Sequence, residues 1–129
     1  MIQKLICLIT ILAISSCALN NESDTQVQSI NRVVDMTDTT SKVCENFYLT
    51  KNEIIYFFQV AEQINNEEDH GESLILPCKY EGKIMMNNKS YSYEIFAGGT
   101  GYLYDKNGWV VKNFICKNNH CCTKFSELC

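Results

Sequence analysis

The stretch KIMMNNKSYSYEIFA, residues 83–97, decides the fold that the sequence predicts. In its second half, apolar or aromatic residues recur at every second position, namely Tyr91, Tyr93, Ile95 and Ala97. This period places them on one face of a strand. The Asn87-Asn88 pair before them is typical of a tight turn, because asparagine tolerates the backbone angles that such turns need. The stretch therefore predicts a β-hairpin with a buried face.

Further strands are predicted on both sides of this hairpin. TGYLYD (100–105) and GWVVKNFIC (108–116) flank a second turn, DKNG. LILPCKY (74–80) also alternates, and Pro77 favours an edge or a bulge there because it lacks a backbone N–H. Together these stretches predict a roughly five-stranded, largely antiparallel sheet.

A helix is predicted over LTKNEIIYFFQVAEQI, residues 49–64. Thr50 and Glu53 fit a capping box, and Asn65-Asn66 fits the end of the helix. Apolar residues follow at helical spacing, namely Ile54, Phe57, Phe58, Ala61 and Ile64. We interpret this stripe as core and not as a ligand pocket. The predicted fold class is α+β, with one N-terminal helix packed on the sheet.

Composition divides the chain into three parts, residues 1–16, residues 17–42 and residues 43–129. Residues 18–42 are rich in Asn, Ser, Thr and Asp and contain no aromatic residue, which predicts a flexible tether. Residues 43–129 remain for a single small domain. A core of this size is marginal alone, so disulfides would help to hold it.

The charge is acidic and uneven. The formal net charge is −4, with −8 over residues 18–81 and +3 over residues 82–129. We interpret the acidic cluster NNEEDHGE, residues 65–72, as a solvated loop. The sequence has no strongly basic stripe, so we expect no nucleic-acid partner.

Residues 1–16 have the organisation of a secretory signal peptide. Lys4 is the only charged residue before position 22, and LICLITILAI, residues 5–14, is almost entirely apolar. This run is shorter than the roughly 20 apolar residues that a membrane-spanning helix needs. We expect these residues to be removed on export.

The end of this segment, Ile14-Ser15-Ser16-Cys17, resembles the lipobox of bacterial lipoproteins. The resemblance implies cleavage after Ser16 and a diacylglyceryl group on the Cys17 sulfur, which anchors the mature chain in the membrane. Ala18 follows in place of Asp, which implies sorting to the outer membrane, facing the periplasm. The alternative is ordinary cleavage after Ala18, with Cys17 discarded.

The cysteines favour export as well. Of eight cysteines, we expect Cys7 to leave with the signal peptide and Cys17 to be either acylated or cleaved off. An even set remains, namely Cys44, Cys78, Cys116, Cys121, Cys122 and Cys129. An even number of cysteines in a short exported chain predicts a disulfide framework.

A second, fainter resemblance covers residues 57–116. The order FFQVAEQI, LPC, EG, YEIFAGGTG and FIC is similar to a group of small uncharacterised bacterial proteins. It implies the same layout of helix and strands, and a Cys78–Cys116 pair. The predicted strands agree with this pair, since Cys78 lies on the first strand and Cys116 closes the last.

The pairing of the other four cysteines stays open at this point. A bond between the adjacent Cys121 and Cys122 would be strained. We therefore expect these two to pair with Cys44 and Cys129, in an order that the sequence leaves undetermined. This pairing would make the C-terminal tail, residues 116–129, a compact disulfide knot with His120 at its surface.

The sequence gives little support to a metal, a cofactor or catalysis. Cys and His are zinc ligands, but no Cys-x-x-Cys pair occurs, and export would oxidise the thiolates. AGGTG, residues 97–101, lacks the lysine and the following helix of a phosphate loop, so its glycines indicate a bulge or close backbone contact. Glu67, Glu68 and Asp69 lie in a polar loop without an apolar flank. We expect no metal, no cofactor and no enzymatic activity.

These features predict a non-catalytic lipoprotein of the bacterial envelope that binds another protein. One expected role is that of an inhibitor or immunity protein against a periplasmic toxin or hydrolase. The alternative is a structural or assembly lipoprotein of an envelope complex. A small periplasmic enzyme is the third hypothesis.

Overall fold

The computed structural model describes residues 24–37, 41–65 and 76–129. Its strands are β1 (Thr25–Val27), β2 (Asn31–Val34), β3 (Glu62–Ile64), β4 (Cys78–Met86), β5 (Lys89–Phe96), β6 (Thr100–Tyr104) and β7 (Val110–Ile115). Its helices are α1 (Lys51–Val60) and α2 (Asn119–Lys124), and 3₁₀ turns span Ser41–Cys44 and Ser126–Leu128. None of the helices in these ranges is both long enough and apolar enough to cross a membrane.

The strands form one antiparallel sheet around the predicted hairpin. Its order is β1-β4-β5-β6-β7-β3, and β2 also pairs with β4. Asn87 and Asn88 connect β4 to β5 with φ angles of 52° and 62°. Two successive positive φ angles are those of a type I′ turn, whose twist matches that of a hairpin. The prediction of a hairpin turn at this pair is confirmed.

The α+β class and the antiparallel sheet are confirmed, but two details of the fold prediction are wrong. The sheet has seven strands instead of about five, and α1 lies centrally in the chain instead of N-terminal to the sheet. Residues 78–80 of the first predicted strand and residues 83–86 of the hairpin belong to a single strand, β4, and residues 74 and 75 lie outside the described part of the chain. Three short strands that were not expected make up the larger number.

Two of these short strands lie in the segment predicted to be a tether. β1 and β2 both pair with β4, and residues 28–30 bulge between them. At this bulge Gln28 N donates to Lys83 O at 2.8 Å, and Lys83 N donates to Ser29 Oγ at 2.8 Å. The prediction of a flexible tether over residues 17–42 is therefore wrong for residues 25–34. These residues form strands because their backbone pairs with β4, and composition does not reveal such a long-range contact.

Helix α1 begins as predicted and ends early. Thr50 Oγ1 accepts from Glu53 N at 3.2 Å, and Glu53 Oε2 accepts from Thr50 N at 2.8 Å, which confirms the capping box. The helix ends at Val60, because Ala61 is already extended and β3 pairs with β7. The prediction of helix up to residue 64 is wrong, since strand pairing replaces the last turn.

The core lies between α1 and one face of the sheet. Ile54, Phe57 and Phe58 are buried. The Phe58 ring lies 5.2 Å from the ring of Phe114 and 6.1 Å from that of Tyr93. This confirms the interpretation of the aromatic stripe as core.

Candidate functional site

The face of β4, β5 and β6 that points away from α1 carries a mixed set of charged and aromatic side chains. Side chains alternate between the two faces of a strand, so residues two apart share a face. We call this set the open face: Lys79, Glu81, Lys83, Ser92, Glu94, Phe96, Tyr102 and Tyr104. Apart from the exposed Lys83, all of them are half-buried.

Glu94 lies at the centre of the open face. It pairs in register with Glu81, and carboxylates directly opposite each other repel. Lys79 relieves this repulsion, because its ammonium group donates to Glu94 and lies 3.0 Å from Glu81. Burial lowers the pKa of Lys79, but the bonds and charges of Glu94 and Glu81 raise it above 10.5 overall. The lysine therefore stays charged and holds the two carboxylates together.

A row of aromatic rings lies beside this charged group. The ring of Phe96 lies 6.0 Å from that of Tyr102 in an edge arrangement, and the rings of Tyr102 and Tyr104 are 6.2 Å apart. Burial raises the pKa of both tyrosines, and Glu94 adds to the effect on each. Tyr104 also makes a hydrogen bond to Glu94. Both hydroxyls are protonated at neutral pH; that of Tyr104 donates to Glu94, which leaves the Tyr102 hydroxyl to donate to a ligand.

A shallow cavity of about 420 Å³ opens at the edge of this face. Its lining combines open-face side chains with the bulge between β1 and β2: Ser29, Ile30, Asn31, Glu81, Lys83, Ser92, Glu94 and Tyr104. Inside it, Lys83 Nζ donates to Ser92 Oγ at 2.7 Å. Catalytic lysine bases are desolvated, whereas Lys83 is exposed. The pair is therefore a surface hydrogen bond and not an activated nucleophile.

The β6–β7 hairpin presents large apolar side chains next to the open face. Trp109 is 73% exposed, and Val110 and Val111 are 38% and 46% exposed. Val110 pairs in register with Tyr104, so Val110 adjoins the aromatic row.

Asp105 holds the tip of this hairpin in one conformation. Its Oδ1 accepts from Asn107 N at 2.8 Å and from Trp109 N at 3.0 Å. Its backbone N–H donates to Trp109 O at 2.9 Å. Gly108 supplies a φ of +81° in the turn. The DKNG turn is therefore confirmed, and its hydrogen bonds fix the backbone that carries Trp109.

Cys17 and the lipobox lie outside the described residues, as do His70 and the acidic residues 67–69. The six other predicted site residues are described, and all form disulfides: Cys44–Cys78, Cys116–Cys121 and Cys122–Cys129. The predicted Cys78–Cys116 pair is therefore wrong. The expectation that Cys121 and Cys122 pair with Cys44 and Cys129 holds only for Cys122 with Cys129.

Arg32 on β2 gives the physical reason for the Cys44–Cys78 bond. Its guanidinium group donates to Cys44 O at 2.6 Å and to Phe47 O at 3.0 Å, which holds the 3₁₀ turn against β2. Val34, two residues later on the same strand, pairs with Cys78. Because both cysteines adjoin β2, they meet there, and Cys116 is left to pair within its own segment.

Asn118 explains the local pair Cys116–Cys121. Its side chain caps α2 by accepting from Cys121 N at 2.9 Å, and it donates to Val60 O at 2.8 Å. The chain thus turns back immediately after β7, and Cys121 lies beside Cys116. His120 is exposed on this helix, as expected.

Three sulfurs of this segment lie close together. The Sγ atoms of Cys116, Cys122 and Cys129 are all within 4.8 Å of one another, a spacing that a metal ion can bridge. Each of them is bonded to another sulfur, however, and metals bind thiolates. In this oxidation state the group offers no thiolate ligand.

The glycines of residues 97–101 act through close packing. Gly99 has a φ of +88°, and a Cβ on Gly101 would lie 2.4 Å from Phe57 Cε1. The segment leads into β6 and not into a helix. The expectation of close backbone contact is confirmed at Gly101.

Sequence reasoning did not find the open face or the Trp109 tip. The alternation that predicts the buried set in β5 also defines the complementary set that contains Glu94 and Phe96. A strand pattern shows which residues share a face, but not that the outward set collects aromatic rings around an ion-paired lysine.

Comparison of the chain with protein-family models, with curated proteins and with solved structures found no match.

Proposed function

We propose that the protein is a non-catalytic, lipid-anchored binding module of the bacterial envelope, and that it holds a partner protein with its Trp109 hairpin and open face. The lipid on Cys17 is inferred from the lipobox resemblance. Two acyl chains anchor a protein stably, whereas one gives only marginal membrane binding.

The observation that carries this proposal is the exposure of Trp109. It is the only tryptophan of the chain and is 73% exposed, beside the exposed Val110 and Val111. Contiguous apolar groups on a protein surface mark interaction sites. Tryptophan is among the residues that contribute most to the binding energy of protein interfaces.

The fixed backbone of the hairpin tip adds to this argument. Because Asp105 bonds to both ends of the turn, the backbone at Trp109 loses little freedom on binding. Preorganisation of this kind raises affinity by lowering the entropy cost of association.

The open face suits the polar rim of such an interface. The protonated hydroxyl of Tyr102 can donate to a partner, and Phe96 adds apolar area. Lys79, Glu81 and Glu94 already neutralise one another in part, so a partner need not supply opposite charges to cover them. Protein interfaces commonly combine an aromatic centre with a polar surround.

The role that we propose within this class is inhibition of a toxin or hydrolase in the periplasm. A disulfide-held domain with a rigid aromatic tip suits the capture of a folded protein. Inhibition of this kind needs no catalytic residue of this chain.

Site-specific photo-cross-linking in intact cells tests the binding surface. A photoreactive residue replaces Val111 in one variant and Lys51 in another, which is exposed on α1. We expect Val111 to give a discrete cross-linked protein in the membrane fraction, and W109A in the same background to remove it. Identical products from both positions, or none from Val111, would contradict the proposal.

The anchor is tested separately by the intact mass of the mature protein. We expect a diacylglyceryl group on Cys17 and release of C17S from the membrane fraction. An unlipidated native chain that begins at Leu19 would reject the anchor.

A further inference from the structure

The segment from Cys116 to Cys129 brings two disulfides into contact. Cys116 Sγ of one bond lies 3.7 Å from Cys129 Sγ of the other. This is close to van der Waals contact, and a new bond between the two sulfurs requires a shift of under ~2 Å.

The two disulfides differ in access to solvent. Cys129 is exposed and Cys122 is half-buried. Cys116 is 4% exposed and Cys121 is fully buried. A thiol in solution therefore reaches the Cys122–Cys129 bond and not the Cys116–Cys121 bond.

We propose that this segment is a thiol–disulfide exchange site that accepts electrons from a dithiol at Cys129 and passes the exchange inward to Cys116. One thiolate of the dithiol attacks Cys129 Sγ, forms a mixed disulfide and releases the Cys122 thiolate. The second thiol of the dithiol closes its own disulfide and releases the Cys129 thiolate. Two electrons have then passed from the dithiol to the protein.

The second step moves no further electrons. The Cys129 thiolate attacks Cys116 Sγ, the Cys116–Cys129 bond forms, and the Cys116–Cys121 bond breaks. The released Cys121 thiolate takes a proton from water. The product has the Cys116–Cys129 disulfide and two adjacent free thiols, at Cys121 and Cys122.

The backbone holds Cys129 close to Cys116. Cys129 Sγ lies 3.2 Å from the carbonyl oxygen of Cys116. Once released, the thiol form of Cys129 can donate to that oxygen, which keeps the sulfur beside its target. The Cys44–Cys78 bond lies outside the group of sulfurs within 4.8 Å, and both of its cysteines are 1% exposed. It therefore takes no part in the exchange.

Limited reduction of the oxidised mature protein with one equivalent of dithiothreitol tests the proposal. The thiols are alkylated, and trypsin then separates residues 113–117, 118–124 and 125–129, because Lys112, Lys117 and Lys124 precede the cuts. We expect 113–117 linked to 125–129, with two alkyl groups on 118–124. Persistence of 113–117 linked to 118–124, with an alkylated 125–129, would overturn the proposal.

Two single variants repeat the test without a reductant. C122S leaves Cys129 as a free thiol, and we expect 113–117 linked to 125–129 with alkylated Cys121. C44S leaves Cys78 as a free thiol at the remote disulfide, and we expect alkylation of Cys78 alone. An alkylated Cys129 in C122S, or a bond from Cys78 to the 116–129 segment in C44S, would contradict a specific exchange.

Discussion

Gly101 on β6 lies directly against the ring of Phe57 on α1. A Cβ on Gly101 would stand 2.4 Å from Phe57 Cε1, a distance that real side chains do not adopt. Phe57 is fully buried and cannot swing into solvent. The helix therefore approaches the sheet as closely as the backbone of β6 permits, and the glycine sets that distance.

Gly101→Ala is expected to destabilise the fold by about 1–3 kcal/mol, the usual cost of overpacking a core. Gly108→Ala is the matched control, since nothing lies within 4 Å of its added Cβ and only its positive φ penalises alanine. Urea unfolding measures both. A Gly101→Ala loss below about 1 kcal/mol would show that the contact with Phe57 carries no cost, whereas Gly108→Ala measures what a positive φ alone costs, about 1–2 kcal/mol.

The three disulfides are expected to stabilise the fold unequally. The chain-entropy model gives about 4 kcal/mol for Cys44–Cys78, with a sequence separation of 34, and about 2 kcal/mol for Cys122–Cys129, with a separation of 7. Thermal unfolding of the two double alanine variants compares them. A larger loss for the Cys122–Cys129 variant would contradict this ranking.

Tyr93 is expected to make stability fall at alkaline pH. Burial, with Glu81 and Tyr80 adding to it, raises the pKa of Tyr93 from 10.0 to about 12. A pKa raised in the folded state gives stability that is fully present below pH 10. That stability is lost as pH rises towards 12, because the unfolded chain ionises first.

Y93F tests this contribution. At neutral pH it removes the hydrogen bond from Tyr93 Oη to Ser29 O, 2.9 Å long, and should cost about 1 kcal/mol. Between pH 10 and about 12 its stability should fall less steeply than that of the native protein. Y93F should still lose some stability as pH rises, because the pKa values of Tyr102 and Tyr104 are also raised in the folded state. Parallel pH profiles for Y93F and the native protein would refute the assignment.

The hairpin turn gives a prediction about backbone conformation alone. Asn88 has a φ of 62° and is exposed. Alanine at a left-handed position costs about 1–2 kcal/mol, whereas glycine adopts it without strain. We expect N88A to be less stable than N88G by about 1 kcal/mol in chemical unfolding. Equal stability would mean that the turn changes type when Asn88 is replaced.

Local patterns predicted the parts of the fold that local interactions determine. The β4–β5 hairpin follows from strict alternation around Asn87 and Asn88. The start of α1 follows from the reciprocal bonds of Thr50 and Glu53. In each case the residues that specify the element are close in sequence.

The parts that were missed depend on distant partners. β1 and β2 contain three and four residues. They form strands because they pair with β4, some fifty positions away in the chain. Residues 62–64 continue the helical pattern but pair with β7 instead. Cys44 meets Cys78 beside β2, where Arg32 donates to the Cys44 carbonyl oxygen. Such contacts are set by tertiary packing and leave no periodic trace in the sequence.

The central claim is that Trp109 and the open face hold a partner protein. The most direct measurement is a titration of the partner cross-linked at Val111 against the purified native protein, W109A and K51A, the last on α1, which packs on the other face of the sheet. We expect a Kd at least about tenfold weaker for W109A, which is ~1.4 kcal/mol, and within about twofold of native for K51A. A W109A affinity within twofold of the native value, with the fold intact, would contradict it.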